Sequence, residues 1–328
     1  MQLPPEVRVG IYSHLFFSTR VTWAKNIVSS RRIAPAPNAL ALLRTCRRVH
    51  VEIGTTWLHQ VLFNFGGPRA MLDKLTIIPN ATRALIRHAR VFGDPVKIYW
   101  NYGDVSFRTA QVLKLLPELA LDRLTILGPQ NPVGCYDTLD MLVRHGAGWK
   151  ELYYLAHDST FLAYEHDWFQ DQRRYLRMPQ PGCWQRAIEE RDGATSGASV
   201  VIYRATSPHP CSVLLQPATR APFAQTLPVG KHPKSFGMEA DAALTMPGER
   251  DKEVLVVVTR GRGVDYAEKE DSPCLEEDMR VWMGGKTWSE TRTEQNADLR
   301  GEEAVVDDYI CVDDYRWPTS WRDPEWGG

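Results

Sequence analysis

Three short segments of this 328-residue chain share one pattern, a charged start followed by β-forming residues. They lie at 87–93 (RHARVFG), 122–128 (DRLTILG) and 150–156 (KELYYLA), so each can be aligned on the next without a gap. Helical patterns separate them, at 106–119 and 136–144. Strand, helix, strand in that order leaves few folds open, because parallel strands need a crossover of a dozen or more residues, usually a helix. The spacing predicts three parallel neighbours in one sheet. Two architectures fit it: a degenerate strand–helix repeat that stacks into a curved α/β solenoid, or an ordinary βαβ arrangement. The regular leucine-and-asparagine signature of leucine-rich repeats is missing.

Further strands are expected at 61–65, 199–203 and 253–259 (EVLVVVT), and helices at 68–77 and 184–191. The aromatic and charged stretch 161–176 reads as helical, and the Pro- and Gly-rich stretch 205–250 as a long loop. Ahead of the body, Val7, Ile11 and Leu15 recur at every fourth position, with Tyr12 and Phe16 beside them. That spacing puts the first three along one helical face. Pro4 and Pro5 suit a first helical turn, where a missing amide proton costs nothing. Residues 17–37, with Pro35 and Pro37, read as a loop. Leu42, Leu43, Cys46, Val49, Ile53 and Trp57 then step by three and four, with Arg44, Arg47 and Arg48 on the other side. One helix is predicted over 39–53, kinked or ended at Gly54.

Charge divides the chain. Residues 1–120 carry 16 Lys/Arg and 6 Asp/Glu, a net of +10, while residues 264–328 carry 7 and 18, a net of -11. A basic front attracts nucleic acid or an acidic protein, and the plainer reading is a solvated face balanced by the acidic end. Nucleic acid is not expected as a partner, because the arginines lack the interleaved aromatics of single-strand binders. The division expected is a helical module at 1–65, an α/β body at 66–263 and an acidic, partly disordered tail at 264–328. With 43% hydrophobic and 24% charged residues, wholesale disorder is excluded. No run approaches the 18 or so apolar residues of a membrane span, and the first residues show no secretory pattern. The six cysteines, at 46, 135, 183, 211, 274 and 311, include no CxxC, which fits reduced thiols in the cytoplasm or nucleus.

Residues of chemical interest are few. His157-Asp158 and His166-Asp167 could hold a metal or act as acid–base pairs, and His-Asp pairs are also common in surface loops. The turn Gly193-Ala194-Thr195-Ser196-Gly197 departs from the GxSxG nucleophile elbow. The doubled VDDY at 306–309 and 312–315 lacks the glycine and bidentate glutamate of a calcium loop. A single RGRG at 260–263 reads as a turn. No catalytic residue, metal or cofactor is expected.

One segment carries a resemblance. Leu3-Pro4-Pro5-Glu6-Val7-Arg8-Val9-Gly10-Ile11-Tyr12-Ser13-His14-Leu15-Phe16 resembles the opening of an F-box, with a Leu-Pro, an acidic residue and then aliphatics at helical spacing. Leu42-Leu43-Arg44-Thr45-Cys46-Arg47-Arg48-Val49 is similar to the later F-box helices. Together they look like the F-box-like proteins of filamentous fungi, over roughly residues 3–65. The long insertion at 17–37 and the missing tryptophan near Val49 depart from the pattern. The resemblance implies an α/β protein with an N-terminal F-box-like helical module, a leucine-rich-repeat-like body and an irregular acidic tail. It implies a non-catalytic substrate-recognition subunit of an SCF-type ubiquitin ligase, with the Skp adaptor and the cullin as partners and an unknown protein as substrate. The implied contacts are Leu3, Pro4, Val7, Ile11 and Leu15, then Leu43, Cys46 and Val49. A protein-interaction scaffold without a ligase role is the alternative, and a plain helical cap on an α/β domain is the simplest one.

Overall fold

A computed structural model describes residues 3–17, 19–25, 40–100, 103–129, 132–159, 165–167, 174–176, 181–207, 218, 220–223, 248, 251–273, 278–298 and 309–311. Helix α1 (Pro5–Phe17) leads into strand β1 (Arg20–Lys25). A 3-10 turn (Ala41–Arg44), α2 (Arg47–Ile53) and a second 3-10 turn (Thr56–His59) precede β2 (Leu62–Phe65). Then come α3 (Pro68–Leu75), α4 (Asn80–Arg83), β3 (His88–Phe92) and the hairpin of β4 (Val96–Trp100) and β5 (Gly103–Phe107). The middle of the chain holds α5 (Thr109–Leu113), β6 (Leu121–Leu127), α6 (Pro132–His145) and β7 (Trp149–Ala156). A second hairpin of β8 (Glu165–Asp167) and β9 (Arg174–Leu176) is followed by α7 (Pro181–Asp192), β10 (Ser199–Ala205), β11 (Arg220–Pro222) and β12 (Val254–Thr259). Last are α8 (Met279–Trp282), α9 (Trp288–Asp298) and β13 (Tyr309–Cys311).

Among the described residues one nine-stranded sheet runs β11-β10-β12-β7-β6-β3-β2-β1-β13. Strands β1, β2, β3, β6 and β7 are parallel and lie in chain order. The three segments expected as parallel neighbours are so, and their pairing repeats the sequence alignment. His88 stands opposite Arg123, and Arg123 opposite Glu151, the same partners that the aligned segments place in one column. Beyond β7 the sheet turns antiparallel through β12, β10 and β11.

Alternation along each strand divides the two faces. Ala89 and Val91, Leu124 and Ile126, and Leu152 and Tyr154 pack with Met71, Leu72 and Leu75 of α3, Leu113 of α5, Leu139 and Leu142 of α6, and Trp184 and Ile188 of α7. The alternate residues Phe92, Leu127, Tyr153, Leu155, Tyr203, Leu255 and Val257 belong to a second cluster, made among the described residues of strand residues alone. The helices that cross between the parallel strands therefore share one face. That is the outcome of right-handed crossovers that always step the same way along a sheet.

Several expectations need correction. Residues 20–25, expected in a loop, form a strand parallel to β2, and β1 and β2 tie the N-terminal stretch into the same sheet as the body. The helix expected over 39–53 is interrupted: Thr45 bonds back to the Leu42 carbonyl, and Cys46 is fully extended (φ -160°, ψ 162°) ahead of α2. In 161–176 the described residues, 165–167 and 174–176, form an antiparallel pair of strands rather than a helix. The helix expected from 106 begins at Thr109, after a hairpin strand. Of the loop expected at 205–250, β11 adds an edge strand, and most of the rest lies outside the described residues.

Within the tail expected from 264, the described residues 264–273 and 278–298 pack on the body. Many of its described charges are paired, and several of its apolar residues are buried on the body. The stretch 260–273 runs along the edge of the sheet where β6 and β7 begin. Glu268 receives the Lys114 ammonium at 3.1 Å, with both side chains buried. Its backbone pairs with Leu119 and Glu118, and the Gly148 N–H donates to the Tyr266 carbonyl. Farther on, Met279, Met283 and Trp288 are buried. Trp288 Nε1 and Arg292 both donate to Asp73 of α3.

The tightest ion pair in this region joins Arg260 to Asp192 at the end of α7. Three guanidinium contacts of 2.7–3.0 Å and the Gly261 N–H converge on a carboxylate with no exposed surface. Removing one partner of a buried pair strands the other charge, at a cost of about 3 kcal/mol or more. Arg260→Leu should therefore lower the unfolding free energy in urea by about that amount. A loss below about 1 kcal/mol would contradict this role.

Candidate docking face on the N-terminal helix

Helix α1 starts where two prolines fix the chain, and the Arg8 guanidinium donates back to the Leu3 carbonyl. It ends where Thr19 bonds to Leu15 and Phe16. Its inner side is narrow: Tyr12 and Phe16 are its buried residues. Glu52 of α2 holds it down. The carboxylate accepts from Arg8 Nε at 3.1 Å and Nη2 at 2.7 Å, from the Tyr12 hydroxyl at 3.2 Å and from Arg48 at 2.9 Å. The Gln60 amide adds a bond to Ser13. The guanidinium of Arg8, then that of Arg48, holds the Glu52 carboxyl down to about 2.

The opposite side of α1 is apolar and uncovered. Leu3, Val7, Ile11 and Leu15 retain 52%, 46%, 50% and 42% of their surface. Steps of four positions rotate by only about 40° each, so Val7, Ile11 and Leu15 form one continuous stripe. A side chain at Gly10 would meet nothing within 4 Å. Pro4 is exposed at the head of the stripe, and Val9 and Phe17 are also exposed. The second set of sequence candidates divides. Leu43 and Val49 are half-buried against the main core, while Cys46 is exposed at the break before α2. The structure thus brings the α1 candidates together and turns Leu43 and Val49 inward. Glu52 was not singled out from sequence, although Arg48 four positions before it is a readable helical pair.

The chemical candidates fare differently. His157 Nε2 lies 3.3 Å from Asp158 at the end of β7, and burial lowers the His157 pKa, which favours the neutral ring. His166 and Asp167 lie on β8, and their side chains are outside the described residues. Ser196 bonds to the Gly193 carbonyl within its own turn. A Cβ at Gly261 would stand 2.4 Å from the Ser196 Cβ, so the RGRG glycine lets two turns meet. Asp307, Asp308, Asp313 and Asp314 lie outside the described residues. Burial pushes the Cys135 thiol far up, which disfavours a thiolate nucleophile.

Part of the basic front is used internally. Arg83 is buried and donates to the carbonyls of Leu75, Ile78 and Pro117, and Arg108 pairs with Asp137. Among the described residues no group of three metal-ligating side chains converges, and no helix is long and apolar enough to cross a membrane. No protein-family model, curated protein or solved structure matches the chain.

The Glu52 clamp has a pH signature. A carboxyl held at about 2 in the fold, against 4.5 ordinarily, adds stability that is fully present above 4.5 and lost as pH falls toward 2. Glu52→Gln removes that contribution. The melting-temperature gap between the native protein and Glu52→Gln should be constant from pH 7 to about 5 and should close between about 4.5 and 2. A gap that does not change over that range would show that Glu52 is not the clamp.

Proposed function

We propose that this protein is a non-catalytic recognition subunit of an SCF-type ubiquitin ligase, docked on the Skp adaptor through α1. The observation that carries the reading is the uncovered stripe of Leu3, Val7, Ile11 and Leu15, on the helix whose sequence resembles the F-box opening. A soluble helix normally turns its aliphatic stripe to the core. This helix buries Tyr12 and Phe16 and leaves the aliphatics outward, which suits a second protein. Covering the exposed half of each of these side chains would contribute about 1 kcal/mol. In this reading the strand–helix body, in the manner of a leucine-rich repeat, presents a surface to the protein to be modified, and the cullin joins through the adaptor. A scaffold that uses the same face without a ligase is the second reading. Co-purification of the cullin separates the two.

The test is a paired measurement on Ile11→Asp. The side chain faces outward, so the variant should melt within a few degrees of the native protein. Adaptor capture should weaken by several kcal/mol, because complex formation would bury an unpaired carboxylate. Normal melting with unchanged capture would end the proposed contact. A large fall in melting temperature would show that Ile11 belongs to the protein's own core.

A further inference from the structure

Helix α1 contains a glycine that the chain's own fold does not use. Gly10 lies in the middle of Pro5–Phe17, its φ is not positive, and a Cβ there would meet nothing within 4 Å. Glycine inside a helix is less stable than alanine, because it loses the most backbone freedom on folding. Gly128 shows the contrast: a Cβ there would stand 2.9 Å from the Cys135 sulfur, so packing within the chain demands the glycine. At Gly10 no such demand exists. The surroundings are those of the uncovered face. Steps of three, four and three place Val7, Gly10, His14 and Phe17 in one row along the helix, with Ile11 beside it. All five are exposed, Phe17 at 65%. The buried Tyr12, two positions after Gly10, lies about 160° round the helix. Alternating steps of three and four mark the seam between two helices packed side by side. The separation of such helices depends on the side chains at the contact, and a glycine permits the shortest.

We propose that Gly10 is the point where a helix of the docked partner crosses α1 most closely, and that this glycine determines which partner fits. The inference rests on the reading that α1 docks on the adaptor, and it names the shape that α1 receives. That shape is an α-helix with an apolar ridge, which enters the gap between Val7 and His14 and lies against Ile11 and Phe17. A helix is favoured over an extended segment on two grounds. The row has the spacing of a helix–helix seam. An added strand would need unpaired main-chain donors and acceptors, and α1 satisfies those of its middle within itself. The glycine then has opposite effects in the two states: it weakens the free helix and admits the partner. A side chain at Gly10 would hold the two helices apart and unseat the contacts at Val7, Ile11 and Phe17 together.

The test uses the full chain and the purified Skp adaptor, with two readouts: adaptor affinity by biolayer interferometry, and hydrogen exchange of the α1 amides in the free protein. Gly10→Ala should slow α1 exchange by about threefold or more. The same variant should bind the adaptor about tenfold more weakly, and Gly10→Leu about a hundredfold more weakly. Val9→Ala is the control, since Val9 lies about 160° round the helix from Ile11. It replaces a β-branched residue, so it should also slow exchange while keeping affinity within about twofold. Adaptor binding that Ile11→Asp abolishes and Gly10→Ala leaves unchanged would overturn the close approach and leave adaptor docking standing. Absence of binding by the native protein would overturn both. Faster α1 exchange in Gly10→Ala would overturn the inference by showing that the fold itself needs the glycine. A native dimer in light scattering that Gly10→Leu splits would overturn it by assigning the face to a second copy of the chain.

Discussion

Five parallel strands, each laid on the same side of the one before, set the terms for this protein. Parallel pairing demands a crossover between neighbours, and a right-handed crossover that steps one way places its helix on one face. The sheet can then bury only one face against helices. The opposite face must be closed by other means or left to partners, and it is the face that carries Arg123 stacked on Tyr153. The antiparallel strands β12 and β10 end the parallel run and lengthen the main core through Val254, Val256, Val200 and Ile202.

The acidic segment beyond 260 completes that architecture. Short returns such as Gly146–Gly148 leave backbone groups exposed at the amino edge of the strands. Residues 260–273 satisfy several of them, with Arg260 and Glu268 as buried anchors. The Arg260 guanidinium also lies 5.6 Å from the Trp149 ring centre, so one side chain joins β12, α7 and the start of β7. At the other end of the chain, α1 is fastened mainly by one carboxylate and two buried aromatics. A helix held this way keeps its aliphatic stripe exposed.

The sequence showed the centre of the fold because its signals were local. Short runs of β-forming residues such as TIL and LYYL mark strands without reference to their surroundings, and their spacing carried the register itself. The edges were not readable in the same way. Strand β1 gains its identity from pairing with β2 across a long gap in the chain, from Arg20 to Leu62. The acidic segment looked solvated because composition does not show that Glu268 faces the distant Lys114. On α1 the period of four was visible, but both possible faces are apolar. Only tertiary packing decides that Tyr12 and Phe16 point inward and Ile11 outward.

The central claim is that α1 is a lightly held helix on one continuous sheet, rather than part of a separate module ending near residue 65. Native-state hydrogen exchange of the intact chain tests it most directly. The amides of β2, β3, β6, β7, β12 and β10 should exchange only through a common global opening. The amides of α1 should exchange faster, through a local opening that leaves β2 protected. Exchange of α1, α2 and β2 together as one unit, independent of β3, would contradict it.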